Sequence, residues 1–127
     1  MIQYIRTLVV ASSLSIMVAP AFAEDRACLM EGSFTMLGQT TEIKDCMDSG
    51  GVAKEQFVEA CEGISNAAVA FGAEPARITY LAACPDGAQG SCKGLFGSPM
   101  TAYYYKRDAE TLADTKNGCV AQGGEWH

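Results

Sequence analysis

The stretch Thr40–Ile64, TTEIKDCMDSGGVAKEQFVEACEGI, decides how the first half of this chain is read, because helical apolar spacing runs on both sides of a glycine pair. Before the glycines, Ile43, Cys46 and Met47 follow that spacing, Thr41 is placed to cap the first turn, and Gly50-Gly51 offers a left-handed stop. This predicts a short helix over 40–49. After the glycines, Ala53, Phe57, Ala60, Cys61 and Ile64 share one helical face while Lys54, Glu55, Glu59 and Glu62 turn outward. A strand through Phe57–Cys61 would bury Glu59 with Phe57 and Cys61, so a second helix is preferred. Residues 65–75 are Ala-rich and end in Gly72-Ala73-Glu74-Pro75, which suits either a continuation to Phe71 or a loop.

Beyond Pro75 the character changes. Arg77-Ile78-Thr79-Tyr80-Leu81 combines β-branched and aromatic residues and reads as a strand. The Pro- and Gly-bearing stretch Cys84–Cys92 reads as a surface loop, and a second strand runs from Met100 to Lys106. Asp108 then caps a helix with Leu112, Ala113, Cys119 and Val120 on one face, closed by Gly123-Gly124. Gly118 weakens that helix, and either close packing at a bridge beside Cys119 or a frayed last turn accounts for it. The expected fold class is α+β: a helical first half, a small antiparallel sheet and a C-terminal helix packed on it. Cys46–Gly51 and Cys119–Gly124 both place a cysteine ahead of a Gly-Gly pair, a resemblance that two glycine-ended helices produce without duplication.

The first 23 residues read as an export signal. Arg6 precedes an apolar stretch from Leu8 to Ala19, and Ala21-Phe22-Ala23 supplies a small-x-small cleavage pattern before Glu24. Ser12, Ser13 and Ser15 interrupt the apolar core, which falls short of the roughly 20 residues a membrane span needs. Residues 24–127 are therefore expected to form one domain, without a membrane span after cleavage, in the periplasm or outside the cell. There the six cysteines Cys28, Cys46, Cys61, Cys84, Cys92 and Cys119 should form three disulfides. Local solutions point to Cys84 with Cys92 and Cys46 with Cys61, leaving Cys28 for Cys119.

Losing Arg6, one of nine cations, takes the formal charge from −6 to −7, which argues against a nucleic-acid partner. The acidity is concentrated in residues 24–64, but no run of five like charges focuses it. There is no C-x-x-C pair, and the one histidine, His127, is the last residue with nothing after it to orient it. Asp86–Gly90 offers one carboxylate where a calcium loop supplies several. The sequence thus gives no reason to expect a cofactor, a metal or a catalytic constellation.

What it offers is an aromatic row. With period 2, Met100, Ala102 and Tyr104 look inward, while Thr101, Tyr103, Tyr105 and Arg107 form an exposed face. Tyrosine pairs a large apolar ring with a polar tip and is enriched at recognition surfaces, so Tyr103, Tyr105 and Arg107 are the candidate binding residues. The reading favours an exported, cysteine-rich, non-enzymatic binding module of the bacterial envelope, its protein or small-molecule partner unidentified. A carboxylate- or tyrosine-based enzyme and a purely structural envelope component are the rivals.

Overall fold

The computed structural model describes residues 25–127. The expected leader, and the cleavage point expected before Glu24, lie outside that range. The chain runs β1 (Ala27–Met36), β2 (Gln39–Asp48), α1 (Lys54–Ala70), β3 (Arg77–Leu81), β4 (Gly90–Lys93), a 3-10 turn at Leu95–Gly97, β5 (Thr101–Tyr104), α2 (Ala109–Ala121) and β6 (Glu125–Trp126). The strands form one sheet in the order β3-β1-β2-β5-β4-β6, with every neighbouring pair antiparallel. The α+β class therefore holds, as do the strand at 77–81, the second strand and the helix capped by Asp108, whose carboxylate accepts from the Thr111 amide at 2.8 Å.

One element is corrected. Residues 39–48 form a strand, not a helix, paired along its whole length with β1. The two strands turn through Leu37 and Gly38, both at positive φ (51° and 76°), as a two-residue hairpin of this twist requires. The apolar spacing misleads because the sheet is covered on both sides. Met47 faces α1 whereas its neighbour Cys46 faces the opposite layer, so adjacent positions are both apolar and the alternation of a half-exposed strand is lost. Ala27–Met30, for which the sequence reading gave no element, is buried at four consecutive positions for the same reason.

Register fixes the faces. Tyr80, Cys28, Met47, Ala102, Cys92 and Trp126 lie in one line across the sheet, followed on the same face by Ile78, Met30, Asp45, Tyr104 and Gly90. Both helices sit on this face. α1 places Phe57, Cys61 and Ser65 against it, four residues apart, and continues to Ala70, so the Ala-rich stretch is helix. On the other face Ala27, Leu29 and Cys46 pack with Leu81, Cys84, Tyr103 and Tyr105 beneath the segment connecting β3 to β4.

All six cysteines are paired, but in none of the three expected combinations. The bridges are Cys28–Cys61, Cys46–Cys84 and Cys92–Cys119. Each ties one strand to one covering segment: β1 to α1, β2 to the connecting loop, β4 to α2. The nearest-in-sequence pairs fail because the sheet separates them: Cys46 faces away from α1 and Cys61, while Cys92 faces the helices and Cys84 lies on the far side. Cys28, on the helix face of β1, meets Cys61 directly above it rather than the distant Cys119. With sequence separations of 33, 38 and 27, each bridge taken singly stabilises the fold by about 3.5–4 kcal/mol in the chain-entropy model.

Three glycines are fixed by contact. A Cβ on Gly124 would come within 2.6 Å of Cys92 Sγ, one on Gly90 would collide with the Trp126 ring, and one on Gly50 with the Pro99 carbonyl. A Cβ on Gly118 meets open space, so close packing does not explain that glycine. Gly90→Ala should therefore cost about 1–3 kcal/mol through overpacking and perturb the fluorescence of the single tryptophan. Gly118→Ala should stabilise the fold by up to about 1 kcal/mol and leave the spectrum unchanged. Urea unfolding under non-reducing conditions, followed by tryptophan emission, checks both.

Candidate functional site

The residues singled out by the sequence do not form one exposed row. Tyr103 and Tyr105 do share the face opposite the helices, but there they are half-buried against Ala27, Leu29 and Cys46. The Tyr105 hydroxyl donates to the Pro85 carbonyl and the Lys44 ammonium lies 5.3 Å from the ring centre, so this side chain helps to hold the connecting loop on the sheet. Burial pushes its hydroxyl pKa upward, with the nearby Tyr103 and Asp86 adding to the effect. Arg107 follows the end of β5, where strand alternation no longer applies, and turns to the helix face. Its guanidinium carbon is 5.1 Å from the Tyr104 ring centre and its Nη2 donates to Asp45 at 2.8 Å. The Gln89 side chain clamps its backbone, accepting from Arg107 N and donating to Arg107 O at 2.8 Å each.

The helix face leaves a concavity of a different character. α1 and the 3-10 turn stand apart over the middle of the sheet, and between them lies a groove of ≈ 410 Å³. Met47, Met100 and Ala102 form its floor; Ala60, Gly63, Ile64 and Ala67 of α1 form one wall; Leu95 and Ser98 form the other. The small residues on α1 make the space, because larger side chains at 60, 63 and 67 would close it. The lining is aliphatic and thioether, and the Ser98 hydroxyl is already engaged as acceptor for the Met100 amide at 3.0 Å. Sequence reasoning placed Ala60 and Ile64 on the buried face of a helix, but it could not show that the facing wall stands off.

Next along the sheet beyond Met47 and Ala102 come Asp45 and Tyr104, paired in register on the same face. Tyr104 stacks on Trp126 with ring centres 5.9 Å apart and planes 19° from parallel. The Asp45–Arg107 pair closes this end with both side chains less than one-fifth exposed. It is an end-on contact through Oδ2, which leaves Asp45 Oδ1 and Arg107 Nε buried without a partner. Burial pushes the Asp45 carboxyl above its ordinary value, and the attraction of Arg107 only partly offsets this. Asp45 was hidden from sequence reasoning by the helical reading of 40–49.

A larger depression of ≈ 510 Å³ at the start of α1 is lined by Asp25, Arg26, Asp48 and Lys54 among others, and its mixed charges favour no single ligand charge. Among the described residues no group of three or more His, Cys, Asp or Glu side chains is placed to share a metal ion. His127 is better held than a chain terminus suggests: its backbone exchanges hydrogen bonds with Ser91 at 2.8 and 2.9 Å, while its side chain remains exposed beside Glu125. No helix among the described residues is long and apolar enough to cross a membrane. No family model, curated protein or solved structure matches the chain.

The buried carboxyl gives a pH dependence of definite sign. With its folded pKa raised, Asp45 contributes stability that is fully present below the ordinary Asp value near 3.8 and is lost as the pH rises through its folded value. Glu31, Glu42 and Asp108, whose values are lowered by Arg77, Lys106 and the Thr111 amide respectively, act in the opposite direction in both wild type and variant. Thermal unfolding of wild type and Asp45→Asn from pH 3 to 8 should therefore show the variant gaining on the wild type as the pH rises.

Proposed function

We propose that this chain is a disulfide-stapled, extracytoplasmic, non-enzymatic binding module that takes the aliphatic part of a small amphiphile into the groove between α1 and the Leu95–Gly97 turn. The observation that carries the reading is the groove itself: its ≈ 410 Å³ falls within the range of small-molecule sites, and its walls are almost wholly aliphatic. Met47 and Met100 on its floor are unbranched and polarizable, which suits a chain of variable shape better than a rigid ring. The three bridges support the compartment, since such stapling belongs to oxidising surroundings, and one of them, Cys28–Cys61, holds the α1 wall to the sheet before any ligand arrives. The ligand's polar end would remain at the mouth, because a lining that is aliphatic and thioether apart from the Ser98 hydroxyl gives a charged headgroup too few partners.

A second reading keeps Tyr103, Tyr105 and Arg107 as the binding residues. What favours it is the partial exposure of both tyrosines on the face away from the helices. Arg107, directed to the other face, would have to act separately from them.

Titration of the oxidised protein with dansylated undecanoic acid tests the proposal. Saturable binding with enhanced, blue-shifted emission is expected. Ala67→Phe, on the exposed rim of the groove, should lower the affinity at least tenfold with little change in melting temperature. Tyr103→Ala should bind like the wild type. Loss of binding in Tyr103→Ala with Ala67→Phe unaffected would transfer the site to the tyrosine face.

A further inference from the structure

The β1–β2 hairpin extends past the rest of the sheet. Pairing of β1 with β3 ends at Glu31, and the last backbone bond from β2 to the segment following β5 is at Lys44, whose carbonyl accepts from the Tyr105 amide, so residues 32–43 form a two-stranded finger. From Phe34 to Thr41 the finger carries no charge, in a chain of which 19% is charged. At its tip two local rules are broken together. Leu37 is 98% exposed, and it is the one non-glycine at positive φ among the described residues, in a position where Asn, Asp or Gly is the ordinary choice. A large aliphatic side chain held out in water on an unfavourable backbone gives the fold nothing, which marks the position as functional rather than structural.

The tip has company. Met36 beside it is 61% exposed, and Phe71, which ends α1, is 91% exposed. The segment after Phe71 lies along the finger: Ser33, Phe34 and Thr35 line one small cavity with Gly72 and Glu74. Three apolar side chains are therefore displayed towards one end of the molecule, with Phe71 one helical turn beyond the groove residue Ala67.

We propose that this end is a lipid-contacting tip, with Leu37, Met36 and Phe71 entering the headgroup and upper acyl region of a bilayer. Size separates this occupant from a second copy of the chain. Two side chains on a narrow finger and one at the end of α1 cannot supply the ~1,200 Å² that a stable protein interface buries, whereas a bilayer needs no complementary surface and takes up each apolar group independently. Charge sets the lipid preference: with a formal charge of −6, or −7 without the leader, the domain gains nothing from anionic headgroups, so the contact is apolar and favours zwitterionic membranes. The inference does not depend on what the groove binds.

Flotation of the oxidised protein with phosphatidylcholine vesicles is the test. The wild type should float with the vesicles, and raising the salt should not release it. Leu37→Asn places a residue suited to positive φ at the turn, so its melting temperature should equal or exceed that of the wild type while vesicle binding falls about tenfold or more. Phe71→Ser should weaken binding similarly. A wild type that stays with the lipid-free fraction, or a Leu37→Asn variant that floats equally well, would overturn the proposal. So would lipid-free self-association abolished by Leu37→Asn, which would assign the tip to a second copy.

Discussion

Everything in this domain hangs on the attachment of three covering segments to one sheet by three covalent bonds. A chain of this size has limited apolar area to bury, and among the described residues the largest fully buried side chains are Phe57 and four cysteines. Much of the interior is thus bridge sulfur rather than interdigitated aliphatic side chains. α1, the β3–β4 connection and α2 each lay little surface on the sheet, and each is anchored at a different strand. Cutting a bridge should therefore loosen one layer without directly unpairing the sheet.

The same arrangement explains why the groove exists. A core filled by close-packed large side chains would draw α1 and the Leu95–Gly97 turn together over Met47 and Ala102. With α1 held through Cys61 at β1 and α2 through Cys119 at β4, the two strands between them are left thinly covered. The small residues of α1 keep that space open on one side. On the other, Tyr104, Trp126 and Arg107 fill the adjacent part of the face and terminate it with the Asp45 pair.

Legibility from the sequence followed how many neighbours each segment has. The cap at Asp108, the amphipathic α1 and the β-branched strand at 77–81 are set by local chemistry and were readable. The sheet-embedded ends of β1 and β2, 27–30 and 45–48, are covered on both faces, and their adjacent apolar residues answer to two different layers, so period-2 alternation disappears and β2 imitates a helix. The pairing of the cysteines failed for a related reason: proximity along the chain ignores which side of the sheet a residue faces. For residues 102–105 the alternation was correct, yet exposure of the outer face was not, because the loop carrying Cys84 and Pro85 covers it. The groove was not legible at all, since a cavity depends on where two walls stop, and no single segment encodes that.

The most direct test of this account is mapping of the bridges by proteolysis of the unreduced protein and mass spectrometry of the linked peptides. Stapling of three layers to one sheet predicts that Cys28 is recovered with Cys61, Cys46 with Cys84 and Cys92 with Cys119. Recovery of Cys84 linked to Cys92, or of Cys46 linked to Cys61, would contradict it, because neither pair can close with the sheet lying between its members.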